Sequence, residues 1–172
     1  MSDNLHEFQL DALKDIYDAE HQALEALPRM ARAVSSPDLK KAIEDHAAVT
    51  KRQVQRLNDL FKKMGVAPER KECKGMKGLI EEAHEYISEK DIDPELRDAA
   101  LNSSEQKAEH YEIAAYSSAI EMAEATGEKQ AARVLRQILA EEERMSRKLS
   151  QLSSRWLKKR VREEQRAARE AA

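Results

Sequence analysis

Leu13-Lys14-Asp15-Ile16-Tyr17-Asp18-Ala19-Glu20-His21-Gln22-Ala23-Leu24-Glu25-Ala26-Leu27 decides how the rest of the chain is read. Leu13, Ile16, Tyr17, Leu24, Leu27 and then Ala31 recur at helical spacing and form one apolar face. Glu20 sits in the middle of that face. A carboxylate on a core stripe is costly unless it is paired or bound to a metal. This first helix is expected from about Leu5 to Val34, with Pro28 kinking it or loosening one turn.

The same interruption recurs in three more segments. A second helix, from the Ser36-Pro37 start signal to the Gly65 stop, carries Leu39, Ile43, His46, Thr50, Gln53, Leu57 and Leu60. A third long helix opens at Asp93-Pro94-Glu95 and stops at Gly127. Its stripe is Glu105, Glu109, Glu112, Ile113, Tyr116, Ile120 and Ala123. The last runs from about Glu128 past Trp156 with Leu135, Ile138, Glu142, Met145, Leu149 and Ser153. A short helix from about Cys73 to Lys90 lies in the longer connection. Short loops make each pair of long helices antiparallel, so the expected fold is an all-α four-helix bundle of two hairpins with a short connecting helix. Ala19-Glu20-His21 and Ala108-Glu109-His110 occupy matching places in the two hairpins and support an internal repeat.

Composition agrees. The 172 residues include 4 Gly, 4 Pro, 4% aromatic and 37% charged side chains, which suits helix throughout. No apolar run is long enough to span a bilayer and no signal sequence is evident, so a cytoplasmic protein is expected. The single cysteine, Cys73, excludes an internal disulfide and a cysteine-based zinc cluster, and reads as a plain thiol between Lys71 and Lys74. Residues 1–154 hold 23 Lys/Arg and 30 Asp/Glu and read as the bundle. Residues 155–172 hold 7 and 3 and read as a basic C-terminal helical extension. That tail is the one candidate for nucleic-acid or anionic-membrane contact; the bland reading, a solvated or partner-packed extension, ranks ahead because Glu163, Glu164 and Glu170 dilute its charge.

Glu20, Glu109 and Glu142 with His46 are the candidate ligands, and Glu105 and Glu112 are auxiliaries one turn either side of Glu109. Oxygen donors with an imidazole suit iron or manganese, mononuclear or dinuclear. The set is thin: the Glu-x-x-His of two-metal bundles is expected nowhere in the chain, with Val49 three residues after His46 and Met145 and Ser146 after Glu142. Counting residues from the helix ends places His46 nearer its loop than Glu20 by roughly two turns, with Val49, Thr50 and Gln53 level with Glu20. The competing reading is a metal-free polar network of these glutamates with Tyr17, Tyr116 and His46. His21 and His110, off the stripe, read as helix-contact residues or supports of the ligands.

Leu13 to Glu20 and Ala26-Leu27-Pro28-Arg29-Met30 resemble the YciE/YciF family of bacterial ferritin-like proteins. So do His46 with Thr50, Gln53-Val54 and Arg56-Leu57, and the stretches Cys73 to Ile80 and Glu109 to Ala114. Leu139, Glu141-Glu142 and Leu149 complete a match over residues 5–152. The resemblance implies a ferritin-like bundle, usually a homodimer, linked to stress responses and built around a dinuclear metal centre. By it, Glu20, His46, Glu109, Glu112 and Glu142 are the site positions. Val49 stands where the family usually has glutamate and Ser146 where it usually has aspartate; Glu105 stands where a small residue is usual. The chain is thus read as a stress protein with a reduced metal site, possessing oxygen or peroxide chemistry if active. The alternative is a dimeric interaction module without metal.

Overall fold

In the computed structural model, which describes residues 4–170, five helices follow one another: α1 (Leu5–Ala33), α2 (Pro37–Lys63), α3 (Lys74–Ser88), α4 (Pro94–Ala125) and α5 (Lys129–Glu170). The starts are capped as the sequence prescribes. The Ser36 hydroxyl accepts the Leu39 N–H at 3.3 Å, and Asp93 Oδ1 accepts those of Glu95 and Leu96 at 2.9 and 3.1 Å. Gly65 and Gly127 end α2 and α4 at φ of 74° and 79°, a left-handed conformation that a Cβ would disfavour. α1 continues through the exposed Pro28 without a break.

α1 packs on α2, α4 on α5, α1 on α4 and α2 on α5, which closes a four-helix ring. α3 lies outside it, across α1 and α4. Two apolar clusters fill the two ends. One joins Leu13, Ile16, Leu57, Phe61, Ile120 and Leu135; the other joins Leu27, Ile43, Leu101, Met145 and Leu149. The stripes of all four helices put polar residues between these clusters, so the middle of the bundle is a buried polar layer. A third, small cluster of Ala19, Cys73 and Met76 seats α3, with Ala108 and Tyr111 against it.

The α1–α2 corner is tied to α4 by Asp98. This buried carboxylate accepts the Ser35 N–H and hydroxyl at 2.8 Å each and the Ser36 N–H at 2.7 Å. Asp98→Ala strands two backbone donors and should lower the unfolding free energy by about 2–4 kcal/mol. Urea unfolding checks this; a loss below about 0.5 kcal/mol would show that solvent replaces the carboxylate.

Cys73 is a plain thiol, as expected, and it is buried. Burial holds its pKa above the ordinary value, its Sγ caps α3 by accepting the Met76 N–H at 3.5 Å, and it lies 2.8 Å from the Tyr111 hydroxyl. α5 continues unbroken through Arg155 to Glu170, about 24 Å of helix beyond residue 154. Trp156 is half-buried, and Arg160 reaches Glu95 at the start of α4, at 3.1 Å. Leu157 and Val161 on the same extension are exposed.

Candidate metal centre

Each of the four long helices sends at least one of the expected residues into the central layer. Glu20 comes from α1, His46 from α2, Glu105, Glu109 and Glu112 from α4, and Glu142 from α5. All six are at most 4% exposed. Helical spacing places three glutamates of α4 on one line over two turns, which makes the layer elongated along the bundle axis.

His46 Nε2 lies 2.9 Å from Glu109 Oε1, 3.8 Å from Glu105 Oε1 and 4.0 Å from Glu142 Oε2. The 2.9 Å approach is not aligned as a hydrogen bond. At the other end of the layer, the Tyr116 hydroxyl donates to Glu20. Gln53 donates to Glu142 and, at 3.1 Å, to Glu141, which also pairs with Arg56. The axial offset expected between His46 and Glu20 is therefore spanned by the length of the layer. It does not set His46 apart from the glutamates, because the α4 carboxylates bridge the difference. Gln53, which the count from the helix ends set level with Glu20, donates to Glu142.

Ligand atoms of His46, Glu109, Glu112 and Glu142 all lie within 4.8 Å of one another. Glu20 and Glu105 flank this group and are outside it. Several of the converging oxygens have no hydrogen-bond partner: both of Glu109, Oε1 of Glu112 and Oε2 of Glu142. Unpartnered buried carboxylate oxygens are expensive. Their convergence on one imidazole nitrogen is the donor set that a hard divalent cation takes.

The electrostatics of the layer match its crowding. Burial, then the Glu142 carboxylate, pushes Glu20 up to about 8 against the pull of the Tyr116 hydroxyl. Burial also drives Glu109, Glu112 and Glu142 well above the ordinary carboxyl value, with neighbouring carboxylates adding to it. Glu105 is raised by burial while His46 pulls it down. Without a cation this layer favours protonated carboxyls.

The positions that depart from the resemblance are turned to other uses. Ser146 Oγ lies 3.1 Å from Gln106 Oε1, to which it donates, and 3.3 Å from His110 Nε2. Val49 is half-buried and outside the cluster. His21 packs edge-on against Tyr17, with centroids 4.7 Å apart. Against the expectation of none, the chain does hold a Glu-x-x-His, Glu81 and His84, but it lies exposed on α3 and takes no part in the cluster. Sequence reading gave no role to Ser104, a neighbour of Glu105 that is 3% exposed and whose hydroxyl has no partner. A serine one residue off a glutamate stripe carries no signal of its own.

Two antiparallel hairpins closing around a buried carboxylate–histidine layer define a ferritin-like bundle. Comparison with known proteins agrees. The chain belongs to the family described as a domain of unknown function, DUF892, whose profile matches residues 4–162. It is 39% identical over 142 residues to the protein YciF of Escherichia coli strain K12, covering 82% of this chain and 85% of that one. The crystal structure of the E. coli stress protein YciF superposes with a TM-score of 0.87 at 36% identity, over 92% of this chain and 99% of that one. Ferritin-like, diiron-carboxylate proteins from Bacillus anthracis strain Ames superpose at 0.65, over 89% and 99% of the two chains. At 17% identity that likeness is one of fold.

Proposed function

We propose that this protein binds iron or manganese in its central layer and serves in a bacterial stress response, as a cytoplasmic homodimer. The observation that carries the metal reading is the set of partnerless oxygens on Glu109, Glu112 and Glu142 converging with His46 Nε2. These four residues would hold one ion, with Glu20 and Glu105 at either end available to a second. Bound iron or manganese supplies electron-transfer chemistry toward oxygen or peroxide. The chain's own residues supply negative charge, exclude water by burial, and hold a proton at the Tyr116 hydroxyl against Glu20. The stress role rests on likeness to the E. coli stress protein YciF, and the dimer on the family resemblance in the sequence alone.

Anaerobic loading with Fe(II) or Mn(II), desalting and elemental analysis test the reading. One ion per chain is expected. Two would mean that Glu20 or Glu105, each at its own end of the layer, completes a second position despite Val49 and Ser146. A value near zero overturns the metal reading. It would leave the second one, a dimeric bundle without metal, for which the use of Ser146 by Gln106 and His110 already speaks.

A further inference from the structure

A cavity of about 180 Å³ lies between α3 and the α1–α4 face. Small residues create it: Ala23 and Ala26 on α1, Ala83 on α3 and Ala108 on α4 leave space that larger side chains would fill. Its walls are apolar, formed among others by Leu27, Met30, Met76 and Ile80. Its floor is polar and reaches the central layer at His46, Ser104, Glu105 and Glu112. Its rim, at Glu25, Arg29 and His84, is exposed.

Two of the floor groups are buried and unsatisfied. Ser104 is 3% exposed and its Oγ has no partner; Glu112 is 3% exposed and its Oε1 has none. A cavity of about 150 Å³ with apolar walls holds one benzene ring. The space under α3 is therefore ring-sized, with hydrogen-bonding groups at its inner end.

We propose that this cavity is a binding site for a small, uncharged molecule with an apolar body about the size of one aromatic ring and a single hydroxyl head. The body fills the space between Met30, Met76 and Ile80. The head meets Ser104 and the carboxyls behind it. An anionic head would be buried beside Glu105 and Glu112 without a cation. An ammonium would have to shed its water among Met76, Ile80 and Ala83. A neutral hydroxyl avoids both penalties and pairs the orphaned Ser104 oxygen. The pocket stands on its own geometry; only a link between its occupant and the chemistry of the central layer rests on the metal reading.

Phenol, toluene and benzoate test this on the metal-free full-length protein carrying ¹³C-methyl methionine. Phenol should shift the methyls of Met30 and Met76 and leave those of Met64, Met122 and Met145 in place, with a Kd of about 1 mM or below. Toluene should bind more weakly and benzoate not detectably. Ser104→Ala should weaken phenol roughly fivefold without changing toluene. Ile80→Phe, at a half-buried position, should close the pocket to both. If Ile80→Phe does not fold, the Ser104→Ala comparison still decides. No phenol shift at Met30 and Met76, toluene or benzoate binding as tightly as phenol, or Ser104→Ala weakening both ligands alike would overturn the proposal. Metal uptake is measured separately, so a phenol failure and a metal failure are told apart.

Discussion

Glu109→Leu is expected to move stability in opposite directions with and without metal. Glu109 is 0% exposed, and apart from its contact with the Glu142 carboxyl neither of its oxygens has a hydrogen-bond partner. In the metal-free protein at pH 8, leucine removes a crowded carboxyl and keeps its volume. By the behaviour of buried charges replaced by apolar groups, unfolding free energy should rise by about 1–4 kcal/mol. With Mn(II) in thousandfold excess over its Kd, the wild-type chain gains about 4 kcal/mol by mass action. The variant should lose most of that gain, because Glu109 lies against the His46 nitrogen. Chemical unfolding of both proteins, each with and without Mn(II), gives four values. A variant that is destabilised without metal would make Glu109 a structural residue. One that keeps the Mn(II) gain would remove it from the ligand set.

The metal-free protein should also be more stable in mild acid than at pH 8. A carboxyl whose pKa is raised by folding contributes stability that is whole below its ordinary value, near 4.5. That stability is lost as pH climbs toward the folded value. For Glu20 the window runs from 4.5 to about 8. The loss is about 1.4 kcal/mol per pH unit for such a group. Glu109, Glu112 and Glu142 are raised in the same sense. Among the groups withdrawn from solvent, Asp18 and His21 act otherwise. Burial alone would raise Asp18, but the Cys73 N–H, Gln22 and Arg70 outweigh it and hold it below its usual value. Its contribution is therefore lost only in stronger acid. His21, held down by burial and then by Arg70, favours the fold above its ordinary 6.5 and opposes the trend with a single group. The urea midpoint at pH 5, 6.5 and 8 should fall stepwise, and excess Mn(II) should reverse the order because ligands must lose protons to bind. A midpoint that is flat across these pH values without metal would mean the layer is solvated and ionised.

The helices and their ends were legible because each rests on local signals. Ser36-Pro37 and Asp93-Pro94 start helices, Gly65 and Gly127 end them, and every residue of the α2 stripe from Leu39 to Leu60 is buried, with Ala42 beside it. The repeat was legible for a reason the structure supplies. Ala19 and Ala108 both face α3, while Glu20 and Glu109 both turn inward. What stayed hidden was relational. Counting residues from helix ends gives axial height but not the reach of side chains, so it set His46 apart from Glu20 without showing that His46 meets Glu105 and Glu109. Cys73 looked like a thiol among lysines because neighbours in sequence say nothing of Tyr111, 38 residues away and 2.8 Å distant. The cavity depends on small residues from three helices meeting at one place, which no single stripe displays.

The polar layer has a consequence for how the two ends of the bundle relate. The clusters around Leu57 and Leu149 share helices but no common apolar core. Substitutions well separated and without shared partners have additive effects. Each end can therefore accumulate changes on its own account, repacking Leu13 against Leu135 without reference to Ile43 and Leu149. The middle has no such freedom: Glu20, His46, Glu109, Glu112 and Glu142 act on one another's charge, so a change at one alters what the others can tolerate. Over generations, sequence drift should run nearly independently at the two ends and in concert across the centre.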